Sequence, residues 1–229
     1  MKQPVIIIGM YGSGISLVSK MLHHSGIFMG ADQNENAGSQ FFRNLNKWMF
    51  VQAGATWDNP YNFRFINENF THSLQKALKR HLKGKPLRKF LGSSKKGNNN
   101  YEAFTFDWGW NDELNTYTIQ VWESLFDNPK IVHVYRNPVD VAANLRSRAI
   151  AFHKERQKRF LTGFKQRKLE NHLSPLRIYE YSLRVLNPEE GFRLWQQYLK
   201  QALSIAEKTG AEVYQIRFED LLDDSENRI

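Results

Sequence analysis

The sequence predicts a three-layer α/β/α fold around a mainly parallel sheet. Two observations carry this. Short apolar runs recur along the chain, at Val5 to Ile8, Ile131 to Tyr135 and Val213 to Phe218, and strands buried on both faces read as such runs rather than as alternating ones. Between them lie segments of helical length with apolar residues at helical spacing. Alternating strands and helices build a parallel sheet through right-handed crossovers.

Val5 to Ile8 is the first strand. Gly9, Gly12 and Gly14 follow, then Ile15, Leu17, Val18, Met21 and Leu22 at helical spacing, with Gly26 as a stop. Ile27 to Met29 reads as a second short strand, and Ala31 to Ser39 as a polar loop. Gln40 to Ala53 is a helix carrying Phe41, Phe42, Leu45, Trp48 and Met49, and Ile66 to Leu82 is an amphipathic one. Gly92 to Asn100 has loop composition. Trp108-Gly109-Trp110 leads into a helix near Asn115 to Phe126. Lys130 to Tyr135 is a strand with Arg136 at its end, and Asn137-Pro138 opens the next helix. Glu189 to Lys208 is a long helix capped by Gly210, and Glu219-Asp220-Leu221-Leu222 follows the last strand.

Chemistry concentrates at two places. A strand, a glycine turn and a helix aim backbone N–H groups and a helix N-terminus at an anion. Gly9 and Gly14 match the outer glycines of a P-loop, G-x-x-x-x-G-K-[ST], with Ser16 in the Ser/Thr place. The fold is therefore expected to be P-loop-like, although the same pattern also suits a tight turn without a ligand. Ile15 occupies the lysine place, which argues against triphosphate chemistry. Arg136 is the second place. Ligands of parallel sheets bind beyond the carboxyl ends of the strands, so the glycine loop and Arg136 are expected to face one crevice.

Composition narrows the classes. The 229 residues suffice for one sizeable domain, and neither a repeat nor a linker divides the chain, so residues 1–229 are expected to form a single domain. There is no cysteine, which excludes disulfides, thiolate metal sites and a cysteine nucleophile. With no evident leader and no apolar run long enough to span a membrane, a cytoplasmic protein is expected. The net charge of +9 suits anionic ligands, but no nucleic-acid-binding signature accompanies it, so no specific nucleic-acid partner is expected. Basic residues crowd Arg146 to Lys168; they form a solvated helix face or line an entrance for an acidic acceptor or a phosphorylated cofactor.

Taken together, these blocks resemble the PAPS-dependent sulfotransferases, in a bacterial-type branch. The resemblance covers nearly the whole chain. VIIIGMYGSGISL resembles the family's 5′-phosphosulfate loop, and KIVHVYRNPVDVAANLRSR its 3′-phosphate segment. NENAGSQFFRNLNKWMFVQAGATWDNP, WGWNDELNTYTIQVW, LWQQYLKQAL and VYQIRFEDLL occur in the family's order. The resemblance implies transfer of a sulfuryl group from 3′-phosphoadenosine 5′-phosphosulfate (PAPS) to a hydroxyl or amine of an unknown acceptor, without a metal. It places the donor on Gly9, Met10, Tyr11, Gly12, Ser13, Gly14, Ile15 and Ser16, with its 3′-phosphate on Arg136 and Asn144. Glu35 is the implied base.

There are departures. The branch usually has a basic residue where Gly12 stands, a threonine at Ile15 and a lysine at Asn111, and the chain stops at Ile229 before the family's usual C-terminal helices. The lost cations favour two other readings: slow transfer that a Gly12→Arg substitution would raise, or a non-catalytic relative acting as a nucleotide-binding or interaction module. A small-molecule kinase is a further reading, weakened by Ile15. The remaining polar and aromatic residues have structural explanations. His23 and His24 read as packing or surface groups, His133 as structural, Asp112 as a helix-start carboxylate or a catalytic one, and the aromatic residues as core.

Overall fold

The computed structural model describes residues 2–35, 37–93, 95, 97, 99–162 and 182–226. Its centre is a four-stranded sheet. Strand β1 (Val5–Gly9) is flanked by β2 (Gly109–Asn111) and β3 (Lys130–Tyr135), and β4 (Val213–Arg217) lies outside β3. Every neighbouring pair is parallel, with Ile7 beside Asn111, Gly9 beside Val134 and Tyr135 beside Arg217. The carboxyl ends of all four strands therefore open on one edge.

Helices cover both faces. On one, Ile7, Val132 and Val134 pack with Ile15 and Val18 of α1 (Ile15–His24). On the other, Ile6, Ile8 and Ile131 join a large core with α2 (Gln40–Gln52), α5 (Asn115–Glu123) and α7 (Pro188–Thr209). The first core is built from aliphatic side chains and Met29. The second is rich in aromatic rings and takes in two further helices, α3 (Glu68–His81) and α4 (Leu87–Leu91). Phe42 stacks on Trp110 with centroids 4.0 Å apart, a geometry worth about 0.5–1.5 kcal/mol beyond the area it buries. Phe41, Phe42, Trp108 and Trp110 are core residues, as expected, but Trp48 is exposed, since it lies on the outer face of α2.

Local signals set the helix ends. Ser39 caps α2 by accepting from the Phe42 N–H, and Asn67 caps α3 through the Phe70 N–H. Asn187 caps α7, where Pro188 takes the first turn and Gly210 ends it in the left-handed region. Helix α6 (Pro138–Thr162) carries the first part of the basic run; residues 163–168 of that run lie outside the described residues. Helix α8 (Phe218–Glu226) continues directly from β4. None of the described helices is long and apolar enough to cross a membrane.

Two expectations change. Ile27 to Met29 is not a strand: it makes one bridge, Phe28 to Trp108. The missing strand is β2, hidden in Trp108-Gly109-Trp110. That segment is too short and too aromatic to give a strand periodicity, and it is fixed by its place beside β1.

Candidate functional site

The glycine loop leaves β1 at Gly9 and enters α1 at Gly14, the left-handed N-cap of that helix, with no side chain capping the first turn. The leading N–H groups of a helix have no partner within it, so those of Ile15 and Ser16 are available to an anion at the strand edge. Gly12 also has a positive φ, 84°, and a Cβ there would stand 3.2 Å from Oδ1 of Asn144. A cation substituted for Gly12 would therefore strain the backbone and press on α6, so any gain in rate from Gly12→Arg would come with a loss of stability.

The loop is anchored from below. Thr116 Oγ1 accepts from the Gly9 N–H at 3.1 Å and donates to the Gly9 carbonyl at 3.2 Å. Asn115 donates to the Ile7 carbonyl, and its own Oδ1 accepts from Asn46 and from the Trp110 indole. Asn46 Oδ1 in turn accepts from Thr118 and Trp122. Helices α2 and α5 are thereby pinned to β1 and β2 where the loop begins.

Within the loop the side chains divide. Met10 is in the large core, and Ile15 is buried in the aliphatic one, so the lysine place holds a core residue and no cation. Ser13 turns inward: its Oγ is buried and its N–H donates to the Met10 carbonyl at 3.0 Å. Tyr11 turns toward a cleft on the α2 side, against Trp57 with centroids 4.8 Å apart. Burial raises the Tyr11 pKa well above its ordinary value, with the charges of Glu113 and Asp112 adding to this and those of Arg43 and Arg148 opposing it.

Arg136 and the loop meet on one ring. The Arg136 guanidinium lies 4.8 Å from the Phe218 ring centroid, and the edge of that ring occupies the place of a Cβ on Gly14. Arg136 donates to Asp140 at 3.0 Å, and its Nε is buried without a hydrogen-bond partner among the described residues. Beside it, Glu219 accepts from the Asn137 N–H at 2.8 Å. Partial burial opposes the Glu219 charge, but that N–H and the Arg217 and Arg136 guanidinia outweigh it and hold the carboxyl below its usual range. Asn144 lies one helical stretch beyond, against Gly12.

Glu35 is exposed in the turn that closes with Asn34 N–H to the Gly38 carbonyl. That turn rests on the end of β2, where Gly38 approaches the Asn111 carbonyl, and it is tied to α1 by Ser19. Asp112 proves to be a helix-start carboxylate, accepting from the Leu114 N–H at 2.9 Å. His133 bonds to Gln215 at 2.6 Å in the sheet, and burial lowers its pKa against the pull of that bond.

Residue-level reading of the sequence missed the cleft. It measures about 340 Å³ and is walled by Tyr11, by Arg43, Lys47 and Phe50 of α2, by Trp57, and by Leu145, Arg148, Phe152 and His153 of α6. Its signal was the basic run, of which Arg148 faces the cleft.

No family model matches the sequence, and no curated protein does. Solved structures do. The sulfotransferase domain from the curacin biosynthetic pathway superposes with a TM-score of 0.50 at 14% identity, over 99% of this chain and 71% of that one. A sulfotransferase from Alicyclobacillus acidocaldarius gives 0.46 at 18% identity over 98% of this chain and 76% of its own. One from Mycobacterium tuberculosis gives 0.49 at 11% identity over 100% of this chain and 65% of its own. The first of these extends over the whole described sheet and its helices; with its glycine loop at the carboxyl edge of an all-parallel sheet, the chain has a sulfotransferase fold.

Proposed function

We propose that the protein is a sulfotransferase that takes its sulfuryl group from PAPS and passes it to a hydroxyl or amine held in the Tyr11 cleft. The observation that carries this reading is the meeting of two anion-binding devices on Phe218: an uncapped helix N-terminus at Gly14 and the Arg136 guanidinium. Two such devices side by side suit a ligand that carries two phosphate groups on one ribose, at its 3′ and 5′ oxygens. The N–H groups of Ile15 and Ser16, with the Ser16 hydroxyl, would hold the 5′ end. Arg136 and Asn144 would hold the 3′-phosphate through charge-assisted bonds.

In the reaction the acceptor oxygen or nitrogen attacks sulfur, the bond from sulfur to the bridging phosphate oxygen breaks, and the acceptor proton passes to a base. Adenosine 3′,5′-bisphosphate (PAP) leaves. Positioning and electrostatics carry such transfers. Glu35 is the proposed base, since its turn rests on the end of β2 beside the loop. Arg43 is the first cation whose charge is felt at Tyr11 in the loop; with Ile15 in the core and glycine at position 12, it would take over the charge stabilisation on the leaving phosphate.

A second reading is a non-catalytic nucleotide-binding relative. Asn111 favours it: where the resembled branch has a cation, Asn111 is buried with its Oδ1 unpartnered among the described residues. Calorimetry separates the readings. PAP binding without Mg²⁺, together with PAPS consumption in the presence of an acceptor panel, supports transfer. PAP binding without consumption supports the second reading, and binding of ATP with Mg²⁺ but not of PAP would indicate a kinase.

A further inference from the structure

The cleft beside the loop has a chemistry of its own. Its charged walls are cationic, with Arg43, Lys47 and Arg148, and neither Asp nor Glu is among its lining residues as described. The rest is apolar and aromatic, led by Phe50, Trp57 and Phe152. The two buried carboxylates whose charges reach Tyr11, Asp112 and Glu113, do not line it. A volume of about 340 Å³ is at the small end of ligand sites, so the occupant is a small molecule or a single end-group.

The polarity of the cleft is set by α6. Asn144 touches the loop at Gly12, and Arg148 is on the same face one turn farther. Four residues of helix rise about 6 Å, roughly the span of a para-substituted ring. An acceptor that puts its reacting group at the loop thus puts its other end at Arg148.

We propose that the acceptor is a small amphiphile with an apolar or aromatic body, a hydroxyl at one end and an anionic group, carboxylate or sulfate or phosphate ester, at the other. The anion is held by Arg148 with Lys47, and the body lies between Trp57 and Phe152. The inference rests on the sulfotransferase reading for the identity of the reacting group; the preference for an anion is a property of the cleft alone.

The test uses three ligands of one shape and three charges: 4-hydroxyphenylacetate, 2-(4-hydroxyphenyl)ethanol and tyramine. Their affinities for the full chain are measured by ligand-observed NMR, with and without saturating PAP. The acid is expected to bind on the order of tenfold more tightly than the alcohol, the ratio one charge-assisted bond supplies, and tyramine most weakly. Arg148→Gln is exposed and should fold; it should bring acid and alcohol within about twofold, as one cation of the wall is lost. Lys47→Gln gives the same readout from the opposite wall. Equal affinities, a preference for the amine, no binding of any of the three, an acid preference that survives both variants, or acid binding that PAP displaces would each overturn the inference. If PAP itself fails to bind while the acid preference and its loss in Arg148→Gln are seen, the transfer reading falls and the cleft assignment stands.

Discussion

The Gly9 end of the crevice sits on buried, mutually bonded side chains, whereas the Arg136 end sits among half-exposed ion pairs. Beneath Gly9, the side chains of Asn46, Asn115, Thr116 and Thr118 are closed off from solvent and bonded to one another or to the β1 backbone. In that setting each bond is strengthened by the low dielectric, and each lost partner leaves an orphan. Around Arg136, the Asp140 partner is half exposed, and Arg217 makes long contacts of 3.4 and 3.7 Å to Glu219 and Asp220. Exposed pairs of this kind contribute about 0–1 kcal/mol. The loop end is thus rigid before any ligand arrives. The Arg136 end keeps its cation near the crevice by stacking it on Phe218, at little cost to the fold if that cation is removed.

The largest expected effect lies at the rigid end. Asn115→Ala removes the partner of the Ile7 carbonyl, the Trp110 indole and the Asn46 amide together, and should lower unfolding free energy by about 3–5 kcal/mol, several buried groups being left unsatisfied at once. Denaturant titration with an unchanged m-value checks this. A loss below about 1 kcal/mol would mean that the network contributes no more than a surface contact.

Gly14→Ala tests the point where the two ends meet. Its φ of 97° is unfavourable for alanine, and the added Cβ displaces the Phe218 ring. A stability loss of about 1–3 kcal/mol is expected from the backbone strain, together with weaker PAP binding as Arg136 loses its ring. Unchanged PAP affinity in a destabilised variant would uncouple the two ends.

At the exposed end the pattern should invert. Arg136→Ala should leave stability within about 0.5 kcal/mol but weaken PAP by about 1.5–3 kcal/mol, the range for a hydrogen bond to a charged group, while adenosine 5′-phosphate suffers less. Calorimetry with both ligands reads this directly; equal losses would remove the 3′-phosphate from Arg136.

A further effect is a pH dependence at the rigid end. Burial first, and then the Glu113 charge, push the Asp112 carboxyl from an ordinary 3.8 to about 7, against Arg43 and the hydrogen bonds from Leu114 and Asn46. The folded protein therefore keeps a proton that the unfolded chain has already released. The stability tied to this group is full below pH 3.8 and declines as pH rises toward 7. Asp112→Asn, whose side-chain oxygen still accepts from Leu114, should melt progressively higher than the parent as pH is raised from 5 to 8. A melting difference that is flat with pH would show that Asp112 is charged throughout.

The difference between the two ends also explains what was legible beforehand. The strand of Ile131 to Tyr135, the glycine loop and the amphipathic helices were readable because each is announced by neighbours in sequence: a β-branched run, a glycine spacing, apolar residues at helical spacing. Strand β2 was not, since three residues hold too little periodicity and its identity comes from pairing with β1. Asn46 and Asn115 look like ordinary helix-surface amides until α2 and α5 are packed, and only then do they share one hydrogen bond.

By itself, the sequence determined the fold class, the parallel direction of β1, β3 and β4, and the placing of the glycine loop and Arg136 at one edge of the sheet. Those follow from local propensity and from the handedness of crossovers, which act along the chain. Tertiary structure alone decided the side-chain directions: Ser13 inward, Ile15 into the core, Tyr11 and Arg148 toward one cleft, and Phe218 under Arg136. A side chain's direction depends on which distant surface fills the space beside it, and residues from separate elements meet only after the helices have closed over the sheet.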